Sequence, residues 1–154
     1  MISLFFLIHE GEFNEFKKKL DLNKINEVNE FMQGYLHEAI AYKRSDIGLF
    51  LINSGVDVSI LDDRGQSALH YAALYNNIEI ATEIVYRGGD VNHLDIYGNS
   101  PLWTATFNAD GNYDIVKLLI NSGSDPNHKN NAGRSPLDFA EEIGDNLLCD
   151  ILHD

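Results

Sequence analysis

Residues 65–73 read Gly-Gln-Ser-Ala-Leu-His-Tyr-Ala-Ala, and this stretch decides the fold because it recurs twice along the chain. The second copy, at residues 98–106, reads Gly-Asn-Ser-Pro-Leu-Trp-Thr-Ala-Thr, and the third, at residues 133–141, reads Gly-Arg-Ser-Pro-Leu-Asp-Phe-Ala-Glu. The opening glycine recurs after 33 residues and then after 35 residues. The sequence is therefore built from internal repeats.

A second motif repeats with the same spacing and closes each unit. It reads Asn-Ser-Gly-Val-Asp-Val at residues 53–58, Tyr-Arg-Gly-Gly-Asp-Val-Asn at 86–92 and Asn-Ser-Gly-Ser-Asp-Pro-Asn at 121–127. The shared aspartate again recurs after 33 and then 35 residues. Because two independent motifs share one period and one two-residue insertion, coincidence is a poor explanation for either.

Each copy of the first motif predicts the start of a helix. Ser67, Ser100 and Ser135 are typical N-cap residues, because a serine oxygen can accept a free backbone N–H of the first turn. Pro101 and Pro136 suit the first helical position, where no N–H is needed. The small residues that follow would let neighbouring helices approach closely.

A second helix is predicted in each unit. Residues 78–86 and 113–121 carry apolar side chains at helical spacing, which indicates one buried face. Gly88 and Gly123 are expected to end these helices, because glycine adopts a positive φ without a steric penalty.

A period near 33 with a signature similar to Thr-Pro-Leu-His-x-Ala resembles the ankyrin repeat family, over nearly the whole chain. Residues 67–73 match that signature best, whereas Trp103 and Asp138 stand where the family has histidine. The resemblance implies an all-α fold, an ankyrin-repeat solenoid of stacked helix-turn-helix units with β-turn loops. It also implies a protein-binding role on the concave face.

We expect one domain, residues 1–154, with five units. Their predicted ranges are 1–28, 29–61, 62–94, 95–129 and 130–154. The first two units are degenerate, and Met32 replaces the glycine of the turn. The last unit is short and is expected to turn an acidic face outward, since residues 138–154 contain no Lys or Arg.

Charge narrows the class of partner. Eleven Lys and Arg against 24 Asp and Glu give a formal charge of −13 on 154 residues. Such a chain repels nucleic acid and anionic membranes, so we expect neither as a partner, and it attracts a basic protein. The single cysteine, Cys149, cannot form an internal disulfide and fits a reducing cytoplasm. The apolar run at residues 2–8 is too short to span a bilayer and is expected to form a buried first helix.

Catalytic and metal chemistry lack a motif. His37 and His70 are 33 residues apart, and we expect both to bond backbone between repeats. No zinc-ligand or nucleotide-binding spacing is present, so no cofactor, metal or catalytic residue is expected. The carboxylate pairs Asp62-Asp63 and Glu141-Glu142 are interpreted as a solvated acidic face. Acidic neighbours should raise the pKa of Cys149, which argues against a reactive thiol.

The resemblance places the variable, partner-binding positions at the turn tips and on the first helices. Aromatic side chains recur there, as in known hot spots. The alternative is that Phe31, Tyr42 and Phe107 only cover a thin core. The insertion at residues 108–112 is either a binding loop or a tolerated one. The predicted partner-binding residues are Tyr42, Asp63, Arg64, Gln66, Tyr75, Ile96, Tyr97, Asn99, Phe107, Asn108, Asp110, Asn131, Arg134 and Glu142.

Three functional hypotheses remain at this stage. The most specific is an immunity-type inhibitor, monomeric when free and cytoplasmic, that neutralises a basic toxin or nuclease. A generic adaptor, scaffold or secreted effector is the second, and a chaperone-like accessory protein is the third. A closed pocket with a metal or two buried carboxylates would instead favour an enzyme.

Overall fold

The computed structural model describes all residues from Met1 to Asp154, and it contains ten α-helices and one short 3-10 helix at Leu22–Lys24. The α-helices are α1 (Leu4–Glu10), α2 (Phe13–Lys19), α3 (Tyr35–Ala41), α4 (Ser45–Asn53), α5 (Ala68–Leu74), α6 (Ile78–Tyr86), α7 (Pro101–Phe107), α8 (Asp114–Asn121), α9 (Pro136–Glu142) and α10 (Asn146–His153). None of them has both the length and the apolar character that a membrane crossing needs.

The helices form five antiparallel pairs that stack side by side in two layers. The first helices of the pairs, α1, α3, α5, α7 and α9, each contact the next in the series. The second helices from α4 to α10 form the other layer in the same way. The predicted all-α solenoid is confirmed, and each pair covers the apolar face of its neighbour.

The first helices begin as the sequence predicts. The Oγ atoms of Ser67, Ser100 and Ser135 accept the backbone N–H three residues further on, at 3.4, 3.2 and 3.1 Å. Pro101 and Pro136 occupy the first helical turn. These caps matter because the helices are only seven residues long and leave most of their terminal backbone groups without helical partners.

Small residues at the contacts bring the pairs close together. Ala39, Ala72 and Ala140 on the first helices are fully buried. On the second layer, a Cβ added to Gly48 would lie 2.5 Å from Cδ1 of Ile80. Between these closely packed helices, leucine and isoleucine side chains form one continuous core that runs from the first pair to the last.

Two boundary predictions need correction. Helix α8 begins at Asp114, because Tyr113 is its N-cap residue. The run at residues 2–8 is only half buried: helix α1 starts at Leu4, Ile2 lies outside it, and Phe6 is 51 % exposed. An end helix has a neighbour on one side only, so just one of its faces can be covered.

Candidate interaction surface

One polar side chain shapes each turn that precedes a first helix. Oδ1 of Asp62 accepts the backbone N–H groups of Arg64 and Gln66 at 2.9 and 2.8 Å. Asn29, Asp95 and Asn130 make the same pair of bonds in their own turns. The prediction that Asp62 belongs to a solvated acidic face is therefore wrong, because Asp62 is buried and also accepts the hydroxyl of Tyr71 at 2.8 Å.

Backbone hydrogen bonds join each turn tip to the next. The N–H of Asp63 donates to Phe31, that of Ile96 to Arg64, and that of Asn131 to Tyr97, each at 3.0 Å. Adjacent tips are thus held at a fixed spacing along the stack. Side chains that project from them are presented on a preorganised row, which lowers the entropy lost on binding.

Two buried histidines tie neighbouring pairs together, as predicted. Nε2 of His37 donates to the carbonyl of Gln66 at 3.0 Å, and Nε2 of His70 donates to that of Asn99 at 2.9 Å. In both rings Nδ1 accepts a backbone N–H, from Gly34 in the first case, at 3.2 Å. Burial lowers the pKa of both imidazoles, so each ring is neutral and structural.

Trp103 occupies the same register in the fourth pair and makes no such bond. Its ring lies 6.2 Å from Phe107 and 5.9 Å from Phe139, and the two phenylalanines are 5.2 Å apart. The guanidinium of Arg134 lies over Trp103 and Phe139, at 5.8 and 5.7 Å, and pairs with Glu142. We call Trp103, Phe107 and Phe139 the aromatic junction. The aromatic junction and the Arg134–Glu142 pair beside it include three of the predicted partner-binding residues: Phe107, Arg134 and Glu142.

Other predicted residues are exposed at the tips or at helix ends. Ile96 and Tyr97 are 57 % and 53 % exposed at a turn tip. Tyr42 and Tyr75 follow the ends of α3 and α5 and are also exposed. The remaining exposed members of the predicted set are Asp63, Arg64, Asp110 and Asn131.

Four predicted amide side chains are used within the fold, and that of Asn131 donates to the carbonyl of Ile96 at 3.1 Å. Gln66 donates to Asp95 at 3.2 Å, and Asn99 accepts from Asn130 at 2.9 Å, so both link adjacent turns. Asn108 donates to the carbonyl of Thr104 at 2.8 Å. Each amide thus already uses one of its polar groups within the fold, which leaves it less available to a partner.

Sequence reasoning missed contacts that join residues far apart in the chain. His9 lies 2.5 Å from the buried carboxylate of Glu38 and stacks on Tyr42 with ring centres 3.9 Å apart. Trp103 and Phe139 of the aromatic junction were also missed. One signal was present: tryptophan replaces histidine at a register where the two preceding units have histidine.

Metal-ligating and thiol groups on the molecule are described by their arrangement and their pKa. No group of three or more His, Cys, Asp or Glu side chains is arranged to hold a metal ion. The pKa of the Cys149 thiol is raised by burial first and then by Glu141, Asp145 and Asp150. That direction agrees with the sequence-based expectation and keeps the thiol protonated.

Comparison with known proteins identifies the repeats. A family model described as ankyrin repeats, in three copies, matches residues 36–130. That range covers 95 of the 154 residues, from the first helix of the second pair to the turn before the fifth. No curated protein matches the chain.

Proposed function

The chain belongs to the ankyrin repeat family, and from this premise we propose that its turn tips and first helices bind a basic protein. Ankyrin repeats are protein-protein interaction modules and are generally not enzymes. To that general role we add three statements: which surface binds, that the partner is basic, and that the chain does not catalyse a reaction.

The observation that carries the proposal is the exposed apolar pair at the third turn tip. Ile96 and Tyr97 are more than half exposed, although their backbones are bonded to both neighbouring tips. Phe31 and Met32 at the first tip are similarly exposed, at 53 % and 51 %. Apolar side chains held rigidly in solvent are typical of binding anchors.

Charge supports a basic partner. The chain carries a net charge of −13, and its few exposed cations near the tips are largely neutralised within the fold. Arg134 pairs with Glu142, and Lys129 lies 2.9 Å from Asp138. A basic protein would therefore meet an attractive long-range field, which speeds association most strongly at low salt.

Within this class we propose an immunity-type inhibitor that blocks a basic toxin or nuclease, monomeric when free and acting in the cytoplasm. The acidic charge, the lone free cysteine and the rigid row of tips support that assignment. An adaptor, a secreted effector and a chaperone-like accessory would share the same surface but differ in the partner they bind.

Capture of the partner from the native host tests the proposal. The tagged protein would be compared with Tyr97→Ala and with Tyr86→Ala, a matched control. Tyr86 is 82 % exposed on α6, in the layer of second helices, here called the outer layer. We expect a basic partner whose binding is lost at least about tenfold in Tyr97→Ala only, as for a hot-spot tyrosine. Binding should weaken between about 50 and about 300 mM NaCl.

The identity of the partner then separates the alternatives. A toxin or nuclease whose activity stops on binding supports the inhibitor. A neutral or acidic partner that binds independently of salt contradicts the proposed charge complementarity.

A further inference from the structure

A cleft of about 530 Å³ opens beside the aromatic junction, between the fourth and fifth helix pairs. Phe107, Phe139 and Ile143 supply apolar walls, and Asp110 and Asp145 supply carboxylates. The lining contains no Lys, Arg or His. The cleft thus combines flat aromatic surfaces with uncompensated negative charge.

Thr106 carries an unpartnered polar atom in the wall of the cleft. It lines the cleft and is 98 % buried, at 2 % exposure, yet its hydroxyl makes no hydrogen bond. The corresponding positions in the two preceding pairs are Ile40 and Ala73, which are buried and apolar. An unpartnered buried hydroxyl costs free energy, so its presence here is unexplained by packing alone.

The carboxylates keep accepting capacity despite their structural roles. Asp145 accepts the Tyr113 hydroxyl at 2.7 Å through Oδ2 and the N–H of Leu148 at 3.0 Å through Oδ1. Each carboxylate oxygen has two lone pairs, so one remains on each. The side chain of Asp110 makes no ion pair. The residue lies in the loop that carries the two-residue insertion, and its backbone φ is 45°.

A cation on the adjoining aromatic surface shows which kind of group that surface accepts. Arg134 lies over Trp103 and Phe139, outside the cleft lining, and its charge is paired with Glu142. A guanidinium is planar, stacks on aromatic rings and donates several hydrogen bonds in a fork. The cleft offers the same combination of rings and carboxylates without a cation in it.

We propose that this cleft receives an arginine side chain of the basic partner, with the stem against Phe107 and Ile143 and the guanidinium at Asp110 and Asp145, against the wall that contains Thr106. This inference rests on the proposed function and deepens it, because it names the residue that the surface recognises. The two-residue insertion then serves to place Asp110 at the rim of the cleft.

The test uses a capped amino acid in place of the unidentified partner. N-acetyl-arginine amide would be titrated into the isotope-labelled full chain, with N-acetyl-citrulline amide as the neutral, nearly isosteric control. We expect saturable shifts of amide resonances confined to residues 106–112 and 139–148, with a Kd on the order of millimolar. Citrulline amide should bind at least about threefold more weakly, as loss of a surface charge contact requires.

Two variants probe the cleft while preserving the fold. Asp145→Asn keeps a good N-cap for α10 and removes one charge, so arginine binding should weaken roughly threefold. Thr106→Val removes only the hydroxyl; it should weaken arginine binding while Tm stays equal or rises, since a buried polar atom is lost. A merely structural role for Thr106 would leave binding unchanged.

Equal binding of citrulline and arginine amides, shifts spread over the whole acidic surface, or unchanged binding in both variants would overturn the assignment. Failure of the proposed function is distinguishable. If the arginine assignment of the cleft is wrong, a basic partner is still captured through Tyr97, but its binding does not depend on Asp145. If the basic partner is wrong, capture itself fails or becomes independent of salt.

Discussion

Two neighbouring junctions use equivalent positions differently: the one between the third and fourth helix pairs, and the one between the fourth and fifth. They differ in their histidine hydrogen bonds. At the former, His70 donates forward to Asn99, and His93 donates back to Gly65 at 3.0 Å. At the latter, Trp103 makes no forward bond, and the buried Nε2 of His128 has no partner. The last pair therefore lacks these two histidine hydrogen bonds, and it keeps the bonds from Asn131 to Tyr97 and from Tyr113 to Asp145.

The two junctions differ in the residue that occupies one position of the repeat. A histidine that stabilises the stack is replaced by an aromatic ring that joins a surface cluster with Phe107 and Phe139. Phe107 in that cluster is 58 % exposed. The loss of the histidine bonds and the gain of exposed ring surface coincide beside the insertion at residues 108–112, which is where we place recognition of an arginine of the partner.

The largest expected effect comes from matched leucines in the two junctions. Leu102 is fully buried, whereas its counterpart Leu137 is only partly buried. Leu102→Ala should lower the free energy of unfolding by about 2–5 kcal/mol, and Leu137→Ala by clearly less. Urea denaturation of both variants measures this, and equal losses would contradict the contrast between the junctions.

Native-state hydrogen exchange should show the last pair opening first. We expect amides of α9 and α10 to exchange with a free energy about 1–3 kcal/mol below those of α5 and α7, because two connecting hydrogen bonds are missing. Helices α1 and α2 at the other end control for fraying. There Arg44 donates to the carbonyls of Ile8 and His9 at 3.3 and 3.0 Å, so that end should be better protected than α10.

Acid should weaken the histidine-tied junctions in a defined pH range. Burial lowers the pKa of His37 and His70 despite the nearby Asp62, so the folded state binds fewer protons than the unfolded chain. Above about pH 6.5, the histidine pKa in the unfolded chain, this effect does not reduce the free energy of unfolding. Below that pH the free energy of unfolding falls as the pH drops toward the lower histidine pKa values of the folded state. Thermal melts of wild type and of the His37→Gln, His70→Gln double variant measure this, and the variant should lose part of the slope.

A carboxylate provides the separate control for acid effects. Lys129 and the cap at Ser135 lower the pKa of Asp138 to about 2. Its stabilising contribution is therefore present above the usual aspartate pKa and is lost only as pH falls from about 4 toward 2. A melting curve that is flat from pH 7 to 5 would contradict the histidine account and leave that of Asp138 intact.

The smallest stability effects should be found at the turn tips. Tyr97→Ala and Asp63→Lys remove exposed side chains, so each should change the free energy of unfolding by less than about 0.5 kcal/mol. Both should nevertheless weaken partner binding. If Tyr97→Ala unfolds the protein, its ring serves packing rather than recognition.

Local sequence rules predicted much of this fold because each repeat carries its own signals. The caps at Ser67, Ser100 and Ser135 and the histidine bonds follow from position within one unit. The buried role of Asp62 was missed, although Asp or Asn recurs in the same register at residues 29, 62, 95 and 130. Reading that register as a turn-shaping position would have corrected the prediction.

The candidate surface was less predictable because it depends on contacts between units. Nothing local indicates that Trp103 meets Phe139, or that His9 meets Glu38, since each pair is separated by about one repeat. The orphaned hydroxyl of Thr106 is visible only once the surrounding packing is known. Gln66 and Asn99 look like variable surface residues in sequence, yet their side chains link adjacent turns.

Site-specific photo-crosslinking in the native host tests the central claim most directly. A benzophenone amino acid would replace Tyr97 at the turn tip or Tyr86 on the outer layer, one at a time, in the full chain. The account predicts that position 97 crosslinks to a basic protein and that position 86 does not. Crosslinking from position 86 alone, or from position 97 to a neutral or acidic protein, would contradict it.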